Sequence, residues 1–144
     1  ILDSVSAGAG DDTIEISSGI FEKIDGGSGY DTLRLDMDNN GSLDLTNIEN
    51  RLESIEKIDM QTGNNTDYVL GLDLRSMAEY SDRGSVMKID GDDSDSVTID
   101  GLSSNYISTE IVTGPDSGYT LYSYNLGDIF AEVQIQTDIA VSFI

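Results

Sequence analysis

Two stretches of the chain place glycines and aspartates in matched order. Gly26-Gly27-Ser28-Gly29-Tyr30-Asp31-Thr32-Leu33-Arg34 fits the nonapeptide pattern G-G-x-G-x-D-x-U-x at every fixed position, where U is a large aliphatic residue. Ala7–Glu15 fits it with one change, Ala7 for the first glycine. Such a pattern suits the binding of a hard cation. Glycines tolerate positive φ and can turn their carbonyl oxygens toward an ion. The aspartate supplies charge, and the aliphatic residue points the other way into a core. Gly8, Gly10, Asp12, Gly27, Gly29 and Asp31 are therefore candidate ligands of Ca²⁺, which takes oxygen donors. The two matches start 19 residues apart, at Ala7 and Gly26. One coil of a β-roll takes about 18 residues, so Asp12 and Asp31 are expected to stack on adjacent coils and share one ion. The competing reading is a pair of Gly/Asp turns without metal.

Other acidic turns carry weaker versions of this chemistry. Asp36-x-Asp38-x-Asn40-Gly41-x-Leu43 has the first half of a calcium loop, but its twelfth position is Asn47, not a bidentate Glu. It reads either as a calcium turn or as a solvated acidic hairpin. Asp90, Asp92, Asp93 and Asp95 crowd one turn, where a divalent ion would remove their mutual repulsion or the loop would stay extended in water. Asp59, Gln61 and Asn64 could line a site or cap turns. Tyr119 and Tyr122, near Tyr106 and Tyr124, could form a recognition surface or pack within strands. Asp59, Gln61, Asn64, Tyr119 and Tyr122 are the candidate ligand-contact residues.

Composition narrows the function classes. With 28 acids against 7 bases the formal charge is −21, which repels nucleic acid and anionic membranes. The acids are clustered, so bound cations are the better account of a compact state. The chain has no cysteine and no histidine, which removes disulfides, thiol chemistry, the usual catalytic triads and the common transition-metal ligands. There is no tryptophan to stack a sugar, and nothing marks one carboxylate as a catalytic acid. A non-enzymatic role is expected, with no membrane insertion, because no apolar run reaches transmembrane length. The chain starts at Ile1 and reads as a piece of a longer protein.

The elements that must position these residues are mostly strands. Ile14, Ile16, Ile20 and Ile24 read as strand between the two glycine turns. Tyr68, Leu70 and Leu72 alternate, as do Ile107, Thr109 and Ile111. Tyr119–Tyr124 and Phe130–Ile135 form an expected hairpin, and Ile139–Phe143 a last strand. Two short helices are expected. Thr46 and Glu49 have capping-box spacing ahead of Ile48, Leu52 and Ile55, and Asp73 is placed to cap a second helix ending near Gly84. The fold class expected is mainly β with two short helices (α+β), a short β-roll-like segment packed on an antiparallel or mixed sheet. One domain, 1–144, is expected, with residues 1–34 integral to it.

The glycine nonapeptides resemble RTX repeats. Leu43-Asp44-Leu45-Thr46-Asn47-Ile48-Glu49-Asn50, Ile55-Glu56-Lys57-Ile58-Asp59-Met60, Gly63-Asn64-Asn65-Thr66 and Lys88-Ile89-Asp90-Gly91-Asp92 resemble a module of large type I-secreted adhesins. Among such modules the chain is similar to the calcium-dependent peptide-binding domain of RTX adhesins. That resemblance implies several Ca²⁺ ions and a role in cell adhesion and biofilm formation. It implies a peptide or protein ligand on a host or neighbouring cell, met through its C-terminal carboxylate. It also implies flanking domains of a parent adhesin, a monomeric module and a place on the outer surface of a Gram-negative bacterium. A structural or secretion-linked module without ligand and a calcium-dependent carbohydrate binder are the alternatives.

Overall fold

Short runs of alternating aliphatic residues, each closed by a Gly, Asp or Ser turn, build a coiled stack of strands. The computed structural model describes residues 3–38, 41–46, 51–61, 67–73, 86–100, 107–113, 117–126 and 129–144. Strands β1 (Ser4–Ser6), β3 (Lys23–Asp25) and β6 (Leu52–Glu53) form a first parallel sheet. Strands β2 (Thr13–Ile16), β4 (Thr32–Leu35), β7 (Lys57–Asp59) and β9 (Met87–Asp90) stack in parallel in a second sheet. Strands β5 (Ser42–Asp44), β8 (Val69–Asp73), β10 (Ser96–Asp100) and β14 (Ala140–Phe143) form a third, also parallel. The chain visits these sheets in turn, as in β3–β4–β5 and then β6–β7–β8. The architecture is therefore a parallel β-solenoid.

At the far end the second sheet continues through β13 (Ile129–Gln136), parallel to β9, and then β12 (Tyr119–Leu126) and β11 (Ile107–Ile111), which run antiparallel. Tyr122 of β12 lies against Phe143 of β14, ring centroids 6.0 Å apart, joining this extension to the third sheet.

Stacking in register makes the core. Ile14, Leu33, Ile58, Ile89 and Ile135 occupy equivalent positions on β2, β4, β7, β9 and β13, and all five are buried. Leu43, Leu70 and Val97 do the same on the third sheet. Each such side chain contributes about 1.5–3 kcal/mol on burial. Tyr68, fully buried, exchanges hydrogen bonds with the backbone of Met37, its hydroxyl accepting from the amide at 3.1 Å and donating to the carbonyl at 3.3 Å.

The expected α+β class is overturned. The described residues are all-β, without a helix, and the largest sheet is of mixed orientation. Leu52 and Ile55, read as one helical face, are separated by a corner. Leu52 lies on β6, Ser54 takes a positive φ of 53°, and the chain turns so that both side chains point inward from successive faces. Thr46 directs its amide and hydroxyl to Oδ1 of Asp44 in a turn. Asp73 ends strand β8, and the second expected helix otherwise falls on 74–85, outside the described residues.

Candidate metal centre

The two glycine turns are stacked directly on one another. Gly8, Gly10, Gly27 and Gly29 all have positive φ, of 108°, 112°, 97° and 141°. Ser28 lies between Gly8 and Gly10, donating its amide to the Gly8 carbonyl and accepting from the Gly10 amide, both at 2.8 Å. A Cβ on Gly27 would overlap the Gly8 carbonyl oxygen, and one on Gly29 that of Gly10. Gly27 and Gly29 are thus required twice, by backbone conformation and by the closeness of the coils, and Gly8 and Gly10 by backbone conformation.

Where each turn enters its strand stands an acid. Asp12 precedes β2, Asp31 precedes β4 and Glu56 precedes β7, and the register of those strands stacks the three. The carboxylates of Asp31 and Glu56 each accept the amide of the acid on the coil before. The Asp12 amide donates to Asp31 Oδ1 at 2.9 Å, and the Asp31 amide to Glu56 Oε2 at 2.7 Å. Asp31 is fully buried, and its carbonyl accepts the amides of Glu56 and Lys57.

The remaining oxygens decide what this column can do. Oδ2 of Asp12 and Oδ2 of Asp31 are both buried without a hydrogen-bond partner. A buried carboxylate oxygen without a donor is costly, because neither water nor protein compensates its charge. A cation placed among oxygens removes that cost. Asp31 Oδ2 also lies close against Gly26, where a Cβ would sit 2.7 Å from it. The donor set at hand is two carboxylate oxygens and the carbonyls of the glycine turns. All are hard oxygen ligands, so the residues fit Ca²⁺. Among the described residues no three acidic side chains converge on one point, so backbone carbonyls would have to complete the shell.

The other sequence candidates are spread along the solenoid. Asp36 and Asp38 follow β4; Asp38 is exposed, and Asn40 lies outside the described residues. Gly41 beside them is explained by packing, since a Cβ there would meet Met37 at 2.6 Å and the Tyr68 ring at 3.0 Å. In the acidic turn after β9, Asp90 is bonded to Lys57 at 2.5 Å and accepts the Tyr119 hydroxyl. Asp92 Oδ1 accepts the Ser94 hydroxyl and amide, which hold its pKa below the ordinary carboxylate value. Asp93 is exposed. Asp95 is buried, its oxygens accepting the amides of Tyr68 and Asp92, and desolvation by burial raises its pKa despite those bonds. These carboxylates act as turn and corner caps.

Asp59 accepts from Arg34 at 3.1 Å and from the Gln61 amide at 3.0 Å, while the Gln61 side-chain amide donates to the Gly91 carbonyl. Asn64 lies outside the described residues. Tyr119 lies under Lys88, 5.5 Å from the ring centre to Nζ, and Tyr122 packs on Phe143. The structure thus brings Asp12 and Asp31 together with the four glycines, and does not gather the remaining candidates with them.

Glu56 was missed by motif reading. Its signal is an acid followed by a polar and then an aliphatic residue: Asp12-Thr13-Ile14, Asp31-Thr32-Leu33, Glu56-Lys57-Ile58. Comparison with family models, curated proteins and solved structures finds no match for the chain.

Proposed function

We propose that the chain is a calcium-dependent, non-enzymatic binding module of a secreted bacterial RTX adhesin, whose calcium is held between its first two coils. The observation that carries this reading is the pair of buried, unpartnered oxygens, Asp12 Oδ2 and Asp31 Oδ2, on adjacent coils that each carry a glycine turn. Calcium, when bound, supplies positive charge and several coordination positions at that point. Asp12 and Asp31 would hold it by their Oδ2 oxygens, with Gly8, Gly10, Gly27 and Gly29 as carbonyl candidates, and Asp31 Oδ1 keeps the two coils in register through the Asp12 amide.

Extracellular calcium modules bind with Kd of about 10⁻⁴–10⁻³ M. At free calcium of about 100 Kd a site adds about 2.7 kcal/mol, against a total domain stability of about 5–15 kcal/mol. A chain of this charge would stay loose where calcium is scarce and close outside the cell. That sequence of events suits type I export from a Gram-negative bacterium, with flanking domains of the parent adhesin on either side. The ligand proposed is a peptide or protein on a host or neighbouring cell, met through its C-terminal carboxylate in adhesion and biofilm formation. This part rests on the resemblance of the sequence to RTX adhesin modules.

A second reading, a structural or secretion-linked module without ligand, is favoured by one observation. Asp59, Tyr119 and Tyr122 are engaged inside the fold. An array of immobilised peptides with free or amidated C-termini, and of glycans, probed in calcium and in EDTA, separates the readings. Calcium-dependent capture by free C-termini alone supports the adhesin ligand. Silence on every spot supports the structural module, and EDTA-reversible glycan capture supports a lectin.

A further inference from the structure

The two ends of the solenoid are finished differently. At the far end the stack of coils passes into the antiparallel strands β12 and β11. At the near end β1 and β2 are the outermost described strands of their sheets. Stacked repeats need terminal units with polar outer faces, because a bare end exposes the core. Here the core is open. Ile20 is 70% exposed, Val5 is exposed and Ile16 is only partly buried. A cavity of about 160 Å³ lies among Val5, Ile16, Ile20 and Phe21.

The first coil also repeats the surface on which it sits. The bonds from Asp12 to Asp31 and from Tyr30 to Asp11 each span 19 residues. The second coil offers the first three amides. Ser28 donates to the Gly8 carbonyl at 2.8 Å, Tyr30 to Asp11 Oδ1 at 2.8 Å and Thr32 to the Asp12 carbonyl at 2.9 Å. Their counterparts one coil earlier are Ala9, Asp11 and Thr13, all exposed. Gly10 and Asp12 donate to the second coil, so the alternate amides of Ala9, Asp11 and Thr13 face the opposite way, as on any sheet edge.

Two further features point outward at the same place. A Cβ on Gly27 or Gly29 would overlap the carbonyl of Gly8 or Gly10, whereas Gly8 and Gly10, with the same positive φ, have nothing within 4 Å of theirs. Asp31 and Glu56 each accept the amide of the acid one coil before. Asp12, next in that column, has no described coil before it. The two residues ahead of Asp3 span at most about 7 Å, too short to cover both edges and the glycine turn.

Shape and charge select the occupant. Residues 3–22 carry Asp3, Asp11, Asp12, Glu15 and Glu22 and no lysine or arginine. Two such ends meeting face to face would bring like charges together. A two-fold pair would also run its edge strands antiparallel, and so would not repeat the parallel register of the coils.

We propose that this end of the solenoid is a docking edge for one more parallel coil of the same 19-residue kind, entering in line with the chain at Asp3. Its glycine turn lies over Gly8 and Gly10, its acid gives its amide to Asp12, and its apolar side chains close the cavity beside Val5 and Ile16. The proposal rests on strand register and on neither calcium nor an adhesion ligand.

The test is amide hydrogen exchange by NMR, in millimolar calcium throughout, on three chains. One is the chain as it stands. The second carries a copy of residues 3–21 inserted before Asp3, with Glu15→Lys in the copy so that like charges do not face Glu15. The third carries the same inserted residues in shuffled order. In the second chain the amides of Ala9, Asp11 and Thr13 should exchange roughly tenfold more slowly or better than in the first, as for newly bonded strand amides. The shuffled insert should leave them unchanged. Equal exchange in the first and second chains, or equal slowing by the shuffled insert, would overturn the proposal. So would loss of slow exchange at Ser28 and Thr32 in the second chain alone. Slowing at Ala9, Asp11 and Thr13 that grows with the concentration of the unextended chain would assign the edge to a second copy instead.

Discussion

The backbone amide of Asp12 donates to Oδ1 of Asp31 at 2.9 Å, 19 residues along the chain and one coil away. One carboxylate oxygen thus sets the register of the coils while the other, Oδ2, is left buried and unpartnered. The same residue is a structural cap and a candidate ligand.

The stacking of the glycine turns predicts unequal costs for the same substitution. Gly8→Ala meets no atom within 4 Å and suffers only from its positive φ. Its cost should be about 1–3 kcal/mol, the usual range for a residue held in such a conformation. Gly27→Ala adds a clash with the Gly8 carbonyl and should destabilise more. Urea denaturation of both variants in calcium checks the order, and equal midpoints would show that the coils are not closely nested.

Asp95 ties two corners together through the amides of Tyr68 and Asp92. Asp95→Ala leaves both donors without their acceptor. Each buried donor left unsatisfied costs about 1–3 kcal/mol. The variant should lose at least that much stability in chemical denaturation and show early amide exchange at Tyr68. A loss under half a kcal/mol, about the scatter of surface substitutions, would contradict the assigned role.

Alkaline pH should weaken the fold. The hydrogen bond to Asp90 raises the pKa of Lys57 above its ordinary 10.5, and burial raises Tyr30 and Tyr122 above 10.0. In each case the folded state holds its proton more tightly than the unfolded chain. Their stabilising effect is complete below the unfolded values and is lost as pH rises through the folded ones. Melting temperature should therefore fall from about pH 10 upward. In Lys57→Gln the fall should be shallower, and an identical slope would remove Lys57 from the account.

Much of the N-terminal site was legible because its rules are local. The spacing from Ala7 to Gly26 fixed which residues stack, and the positive φ of Gly8, Gly10, Gly27 and Gly29 is what the nonapeptide pattern demands. The first expected helix failed for a physical reason. In a solenoid a corner brings apolar residues three apart to the same interior, as Leu52, Ile55 and Ile58 show, and so imitates a helical face. The turn from Asp90 to Asp95 looked like a metal loop because acids repel in sequence. In space Lys57, Tyr119, Ser94 and the amides of Tyr68 and Asp92 answer Asp90, Asp92 and Asp95, and three of those partners are far along the chain. Glu56 escaped because coil length grows from 19 residues to 25, breaking the repeat.

Thermal unfolding of the wild type and of Asp31→Asn, each in millimolar Ca²⁺ and in EDTA, tests the central claim most directly. Asparagine at this position keeps an acceptor for the Asp12 amide but removes the buried charge. The wild type should gain about 2.7 kcal/mol from calcium at roughly 100 Kd. Asp31→Asn should gain little and should be no less stable than the wild type in EDTA. A wild type that melts alike with and without calcium, or an Asp31→Asn variant stabilised as fully as the wild type, would contradict it.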